Sequence, residues 1–244
     1  RTAMTICLGG SDEWIASCRT ALGSTTDVFI VKPSDLPLEG LLLLISGSSG
    51  DWYNLVDMSL KQGGRVFLGN PGSWSFHDLT ALQHVADESG VEMWTYRPWR
   101  RTLPHGENAL RLVRIAVTIP RSERWKPYFG HAVDRVLDAL DTDNLMRADA
   151  SRIISDADIL SMLLINLRFQ NGSMAQISLE RGQNVEVQMS MPSGALQVSE
   201  PESGAILRET TQAFLDNEPN LPTLNEALAG RKIEEKIFSI LRTR

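Results

Sequence analysis

The sequence predicts an α/β protein in which a doubly wound parallel sheet is followed by an open antiparallel sheet with helices on one face. Before residue 98, short apolar runs alternate with segments of helical periodicity, which is typical of βαβ units. After residue 111, apolar and polar residues alternate and hairpin dipeptides separate the runs. With 244 residues the chain can form two domains. We predict them at residues 1–104 and 105–244.

Five apolar runs predict the strands of the first domain: residues 5–8, 27–31, 41–45, 65–68 and 91–96. The third run is continuously apolar, as expected for a strand covered on both faces by helices. Helical stripes separate several runs, and the clearest contain Trp14, Ile15, Cys18 and Leu22; Trp52, Leu55, Val56 and Leu60; and Phe76, Leu79, Leu82 and Ala86. Right-handed crossovers between parallel strands follow from this order.

The second domain is predicted to begin with a strand at residues 112–119, which has one wet face. A helix follows, with its buried stripe formed by Phe129, Ala132, Val133, Val136, Leu137 and Leu140. Hairpin turns at Asn171-Gly172 and at residues 192–194 separate strands predicted at residues 159–169, 174–179, 185–191 and 195–198. Thr223 and Glu226 resemble a capping box that opens a last helix at about residues 223–242, with packing back toward the first domain as one option.

Composition excludes several classes of function. The formal net charge of -6 argues against nucleic acid as a main partner, because phosphate binding requires a basic face. The longest apolar run has far fewer than the roughly 18 residues that span a bilayer, so we expect a cytoplasmic protein with no membrane contact. Cys7 and Cys18 are expected to be reduced packing residues. No zinc-ligand spacing occurs, and no metal is expected.

Several segments resemble the Gfo/Idh/MocA oxidoreductases in order and spacing: residues 63–71, 130–134, 171–177, 192–196 and 213–228. The resemblance covers nearly the whole chain. It implies a Rossmann-like first domain and NAD- or NADP-dependent hydride transfer to or from a hydroxyl of a sugar, cyclitol or related compound. It also implies pairing through the C-terminal sheet, as a homo-oligomer or as a heteromer with a paralogous dehydrogenase. A small-molecule ligand would lie in the interdomain cleft.

The dinucleotide fingerprint is incomplete. That fingerprint needs three glycines, for the turn, for close approach to the pyrophosphate and for packing of helix on strand. In register with Gly9, the second and third positions are Ser11 and Trp14, and starting from Gly10 does not restore the pattern. A tight turn into a helix capped by Ser11 or Asp12 is the alternative interpretation, and it needs no ligand.

The adenosine side of the expected site also departs from the family. Lys32-Pro33-Ser34 follows the second predicted strand, where an acid usually binds the ribose. Lys32 and Ser34 could hold the 2′-phosphate of NADP, or Lys32 could be an ordinary exposed loop residue. About nine residues lead to the next strand, too few for a helix and a further strand. We therefore expect the floor of the adenine pocket to be deleted.

The family's catalytic positions are changed as well. The resemblance implies a Glu-Lys-Pro triplet beside the nicotinamide, and this chain has Gly69-Asn70-Pro71 there. Asn70 can donate a hydrogen bond but cannot carry a proton through a reaction. The family's Asp four residues before the helix histidine is replaced by Pro127. His131 remains and is predicted to point away from the buried stripe, as a solvated residue or as an acid–base group.

An arginine-rich segment follows the first domain, with Arg97, Trp99, Arg100 and Arg101. Arginine pairs with carboxylates through two parallel hydrogen bonds, so the segment could clamp an anionic substrate. Ion pairs that tether domains or a partner are the alternative.

The leading hypothesis is a Gfo/Idh/MocA-like protein that has lost autonomous NAD(P)-dependent hydride transfer, binds no cofactor and acts as an accessory, regulatory or binding subunit. The alternative is an active NAD(P)-dependent oxidoreductase with a divergent loop, so whether the chain is an enzyme stays open. In that alternative His131 and Tyr96 are the acid–base groups, and the cofactor contacts come from Gly9, Gly10, Ser11, Lys32, Ser46, Asn70 and Pro71. A third hypothesis is a sensor or biosynthetic enzyme that uses the cleft without a nicotinamide.

Overall fold

The computed structural model describes residues 6–23, 28–35, 42–47, 49–69, 71–97, 112–122, 125–140, 142, 144–154, 160–184, 186–191, 194–196, 203–216 and 221–242. The chain divides into two compact units. Residues 1–98 and 202–228 form the first unit, and residues 99–201 and 229–244 form the second. The boundary predicted between residues 104 and 105 lies outside the described residues.

The first unit contains the predicted parallel sheet. Its strands are β1 (Ile6–Gly10), β2 (Val28–Ile30), β3 (Leu42–Ser46), β4 (Arg65–Leu68) and β5 (Met93–Thr95), in the order β2-β1-β3-β4-β5. All four pairings are parallel. The helices between them are α1 (Asp12–Leu22), α2 (Ser49–Lys61) and α3 (Phe76–Ser89). The Rossmann-like fold class predicted from the sequence is confirmed.

Two apolar layers cover the two faces of this sheet, because successive strand side chains point to opposite sides. On one face Cys7, Ile45, Val66 and Leu68 pack against residues of α2 and α3. On the other, Ile6, Leu8, Leu44 and Phe67 form a second cluster with Cys18 of α1. Both cysteines are free and buried, as the packing role predicted for them requires.

Strand β2 lies at the edge of the sheet. No strand lies beyond it among the described residues, whereas a full doubly wound dinucleotide fold has the order 3-2-1-4-5-6. Phe29 and Ile30 are 54% and 50% exposed on this edge. Within the described residues, the sheet therefore ends at β2, next to the short connection noted in the sequence.

The second unit contains a six-stranded sheet. Its strands are β6 (Leu112–Pro120), β7 (Leu145–Ile154), β8 (Leu160–Phe169), β9 (Met174–Gly182), β10 (Glu186–Met191) and β11 (Gly194–Leu196). The order is β11-β10-β6-β9-β8-β7, with β6 and β9 parallel and the other pairs antiparallel. The sheet is therefore mixed, a correction to the antiparallel expectation. A helix and two strands separate β6 from β9, which gives the chain enough length to return in the same direction.

One face of this sheet carries the core. Val113, Ile115, Val117 and Ile119 of β6 are buried, and the residues between them are more exposed. Helix α4 (Trp125–Leu140) covers this face with the stripe predicted from the sequence. Helix α6 (Leu224–Arg242) adds Ile233, Ile237 and Leu241.

Helix α5 (Ser203–Leu215) belongs to the first unit and was not predicted as a helix. Its Phe214 is fully buried, with ring centroids 5.2 Å from Phe67 and 5.3 Å from Trp94. The Arg65 guanidinium lies over the Trp94 and Phe214 rings and donates a hydrogen bond to the carbonyl oxygen of Phe214. This cation–π arrangement fixes the end of α5 on the sheet. Within the described part of the chain, no helix is both long and apolar enough to cross a membrane.

Candidate dinucleotide-binding edge

The turn after β1 is where a dinucleotide fold binds phosphate. Gly10 has φ +132°, and a Cβ atom there would collide with the Ser46 carbonyl oxygen. Ser11 caps α1, because its Oγ accepts a hydrogen bond from the Trp14 N–H at 3.3 Å. Of the two caps predicted from the sequence, the structure has Ser11. The cap satisfies one of the amide donors that the end of α1 would otherwise offer to an anion.

Trp52 occupies the space above two of the strand ends. A Cβ atom on Gly9 would lie 2.5 Å from Cζ3 of its indole, and a Cβ on Gly47 would collide with the same ring. Trp52 is only 7% exposed. These two glycines therefore provide the room that the buried indole needs.

Trp14 makes the equivalent contact at two further glycines. A Cβ atom on Gly69 would collide with the six-membered ring of its indole, and a Cβ on Gly10 would lie 3.0 Å from Cδ1. Gly69 directly follows β4, and Gly10 ends β1. At the carboxyl ends of β1, β3 and β4, four glycines thus lie directly against two indole rings.

The electrostatics of this edge are set by α1. Asp12 and Glu13 occupy its first turn and are exposed. Carboxylates at this position stabilise the helix, because they complement the positive end of its dipole. They also place two negative charges at the end of the helix where a pyrophosphate would bind.

The remaining predicted cofactor residues have local contacts. Lys32 is exposed, and its backbone N–H donates to Oδ2 of Asp35 at 2.7 Å. Ser46 ends β3 and is in register with Gly10 on β1. Pro71 is buried in the short 3-10 helix Pro71–Ser73. Asn70 lies outside the described residues.

Tyr96 follows β5, and its ring centroid lies 6.1 Å from that of Trp14 and 6.3 Å from that of Phe67. Burial, with a smaller contribution from Cys18, raises the pKa of Tyr96 to about 12. The phenol therefore stays protonated near neutral pH. It can donate a hydrogen bond, but it is a poor general base, since a catalytic pKa should lie near the working pH.

His131 lies on α4 in the second unit, and its side chain is exposed while those of residues 132–140 are buried. The prediction that it points away from the buried stripe is confirmed. Tyr96 belongs to the first unit. The side chain of Pro127, at the position of the family's Asp, lies outside the described residues.

Gly130 and Asp134, two other residues of the segment 130–134, pack against α6. Nη2 of Arg231 lies 3.1 Å from Oδ2 of Asp134 and donates to the Gly130 carbonyl oxygen at 3.3 Å. Nη1 of Arg231 lies 2.9 Å from Oε2 of Glu234. Burial alone would lower the pKa of Arg231, but the two carboxylates raise it, so the guanidinium stays charged. Asp134 thus joins α4 to α6 through a buried ion-pair cluster with Arg231 and Glu234.

Arg97 is 7% exposed, and its Nη1 lies 3.9 Å from Oε2 of Glu226 within the first unit. Because both partners belong to the same unit, this ion pair tests neither the clamp for an anionic substrate nor the tether to another domain or partner. Trp99, Arg100 and Arg101 lie outside the described residues. Among the residues that are described, no group of three or more metal-ligating side chains is arranged to hold a metal ion.

Comparison with known proteins gives a match in structure without one in sequence. No protein-family model matches the chain, and no curated protein matches it in sequence. An oxidoreductase from Agrobacterium radiobacter, in complex with NAD+, L-tartaric acid and magnesium, matches with a TM-score of 0.73 at 10% identity, over 98% of this chain and 96% of that chain. Scyllo-inositol dehydrogenase from Lactobacillus casei, with NAD(H) and scyllo-inositol, matches with a TM-score of 0.69 at 12% identity, over 98% and 97%. The chain has the Gfo/Idh/MocA fold.

Biliverdin reductase from Synechocystis sp. PCC 6803, in complex with biliverdin and NADP+, has the same architecture, with a TM-score of 0.68 at 13% identity over 98% of this chain and 99% of that chain. At such low identity the likeness concerns the Gfo/Idh/MocA fold alone. The site has to be judged from the side chains of this chain.

The sequence pattern places Trp14 and Trp52 in helical stripes, and Trp14 also at a glycine position of the fingerprint. It does not predict that either indole lies against the strand ends, and it assigns Gly47 no role. A signal was present. Each tryptophan lies in the first turn of a helix that follows a strand ending in glycine or a glycine-containing turn. First-turn side chains lean toward the helix amino terminus, and here that direction leads back to the strand ends.

The indole contacts predict that glycine at position 69 is required for packing. Gly69→Ala should lower the free energy of unfolding by about 1–3 kcal/mol, because the added methyl group meets the Trp14 ring. Urea unfolding measures the change. Gly50→Ala is the matched control: it lies in α2 with open space around its Cβ position and should cost nothing. In the Trp14→Leu background Gly69→Ala should cost less, and an unchanged cost would contradict the contact.

The buried environment of Tyr96 predicts that its phenol ionises at an unusually high pH. Because burial raises its pKa, the contribution of Tyr96 to the free energy of unfolding is fully present below about pH 10 and is lost as the pH rises toward 12. Ultraviolet absorbance should show one tyrosine that ionises near pH 12 while the circular dichroism is still native, and Tyr96→Phe should remove it. A Tyr96 midpoint at or below pH 10 would contradict this burial and would make the residue a plausible base.

Proposed function

We propose that this protein is a non-catalytic member of the Gfo/Idh/MocA fold that acts as an accessory, regulatory or binding subunit. In this proposal the first unit serves as a scaffold and does not hold a nicotinamide dinucleotide. The single observation that carries the proposal is the contact of Trp14 and Trp52 with four glycines at the carboxyl edge of the first sheet.

Close approach of a ligand to backbone is the reason a dinucleotide site needs glycine. Here the space beside Gly9, Gly10, Gly47 and Gly69 contains indole carbon atoms, so a pyrophosphate could reach the backbone at these points only if the rings moved. Trp52 is buried, which makes that movement costly. The carboxylates of Asp12 and Glu13 add repulsion at the same helix end.

The candidate acid–base pair supports the same proposal. The buried phenol of Tyr96 is held in its protonated form. The phenol is therefore a poor general base near neutral pH. Asp134, three residues after His131, is engaged by Arg231.

The competing hypothesis is an active oxidoreductase, and structural neighbours bound to NAD+, NAD(H) and NADP+ favour it. It requires Trp14 and Trp52 to change rotamer and expose the strand ends. This hypothesis and the proposal differ in whether the protein binds the cofactor.

Calorimetric titration of the purified protein with NADH and NADPH separates them. We expect no saturable binding up to about 1 mM, which corresponds to roughly -4 kcal/mol. Tryptophan emission should stay unchanged after correction for absorbed light. Trp74→Phe is a control for emission, because Trp74 is buried but is not among the nearest neighbours of the four glycines at the strand ends. A micromolar dissociation constant for either cofactor would contradict the proposal and favour the active enzyme.

The proposal extends to assembly, since an accessory subunit needs a partner. The second unit exposes Met146, Ile153 and Met174 on strands β7 and β9, with exposed fractions from 47% to 58%. Strand register places Ile153 and Met174 on the sheet face opposite the core cluster. We propose that this face pairs with a second copy of the chain, the isologous arrangement commonest among homo-oligomers.

Light scattering should give about twice the chain mass of 27.1 kDa. Ile153→Arg should return the mass to that of one chain, because a charge in an apolar interface is costly. Phe29→Arg is the control, since Phe29 is equally exposed but lies in the first unit. A single-chain mass for the unaltered protein would contradict self-pairing and point to a heteromer with a dehydrogenase.

A further inference from the structure

The second unit contains a pocket of about 430 Å³ that the functions considered so far do not use. Four elements line it: the last turns of α6, the first turn of α4, the end of β7 and the neighbouring strand β8. Small-molecule pockets in proteins span about 300–1,000 Å³, so this volume suits a compact ligand.

The wall of the pocket is aromatic and already packed. Trp125 and Phe238 line it, with ring centroids 5.6 Å apart and planes at 66°. Phe129 supports both rings from behind, at 6.2 Å from Trp125 and 5.7 Å from Phe238. Edge-to-face packing of this kind holds the rings in place without a ligand. Leu163, which is fully buried, completes the apolar lining.

Two arginines line the same pocket. Arg152 lies near the end of β7 and Arg242 ends α6, and both are exposed. No ion pair is formed by either one among the described residues. Other arginines of the second unit do have carboxylate partners: Arg147 pairs with Asp149 and Arg231 with Asp134. Two exposed guanidinium groups therefore lie beside an apolar wall without a carboxylate partner among the described residues.

We propose that this pocket binds a small carboxylate with a flat apolar body, such as an aromatic carboxylate. Arg152 and Arg242 hold the carboxylate, because a guanidinium matches its two oxygens with parallel hydrogen bonds. The ring of the ligand packs on Trp125 and Phe238. Apolar lining combined with a few polar groups is the usual composition of a small-molecule site. The site lies within the second unit, so it is independent of whether the first unit binds a dinucleotide.

The test uses 2-naphthoate as the anionic probe and 2-naphthylmethanol as its uncharged counterpart, both titrated into the full chain by calorimetry. We expect saturable binding of naphthoate. The alcohol should bind at least about tenfold more weakly, because tenfold corresponds to the lower end of the free energy lost with a hydrogen bond to a charged group. The double variant Arg152→Gln, Arg242→Gln should weaken naphthoate by a similar factor and leave the alcohol unchanged. Both arginines are exposed, so the double variant should fold normally.

The matched control is Arg168→Gln, which removes one exposed charge on β8. Strand register pairs Arg168 with Arg147 and Met174, on the face opposite Leu163. The affinity of the Arg168→Gln variant for naphthoate should stay within about twofold of that of the unaltered protein. This is well below the tenfold change that corresponds to about 1.4 kcal/mol. Equal affinities for the two probes, an equal loss in Arg168→Gln, or no naphthoate binding at about 1 mM would each overturn the proposal.

Discussion

Contact between two indole rings and the backbone at glycine is the constraint on which the first unit depends. Trp14 is the third residue of α1 and Trp52 the fourth residue of α2. Both helices follow strands directly, and side chains in a first turn lean back over the strand that precedes them. The rings then meet the ends of β1, β3 and β4, where any side chain larger than hydrogen would collide with them. Glycine at these ends is therefore a packing requirement.

The strand ends that the two indoles contact are also the part of a doubly wound fold where ligands bind. In a doubly wound fold the carboxyl ends of the strands form the crevice in which ligands bind, because the helix amino termini and free backbone amides meet there. In this chain the edge is covered by apolar carbon from within the protein, and Ser11 takes part of the hydrogen-bonding capacity of α1. The indole rings of Trp14 and Trp52 therefore add apolar contacts at the edge where a doubly wound fold binds its ligand.

The strands and helices that could be predicted from the sequence are those marked by the spacing of apolar residues within a short segment. Runs of apolar residues and helical stripes gave the parallel sheet and its helices, since burial on two faces leaves a periodic signature. Strand β7 was missed because its covered face shows only Ala148, Ala150 and Arg152, a weak apolar alternation. The parallel pairing of β6 with β9 was also missed. Strand order depends on which distant segments meet, and no window of sequence records that choice.

Site prediction was limited for the same reason. Absence of the glycine fingerprint was visible in the sequence, but the indoles that take its place come from two helices separated by some forty residues. Their meeting with Gly47 and Gly69 depends on the sheet order β1-β3-β4. The raised pKa of Tyr96 likewise arises from burial. Burial of that kind is a property of tertiary packing and leaves no local motif.

Packing between α4 and α6 accounts for Gly130 and Asp134, two of the residues on which the family resemblance rests. A Cβ atom on Gly130 would lie 2.5 Å from Nη1 of Arg231 and 2.5 Å from Oε1 of Glu234. Gly230 on α6 is constrained in the same way, because a Cβ atom there would collide with the Asp134 carboxylate. Two glycines thus let α4 and α6 approach until Arg231 bridges their carboxylates. Removing one partner of a buried ion pair is strongly destabilising, so Asp134 and Gly130 are required whether or not His131 takes part in any reaction. Their presence is evidence for the fold of the second unit and is neutral with respect to catalysis.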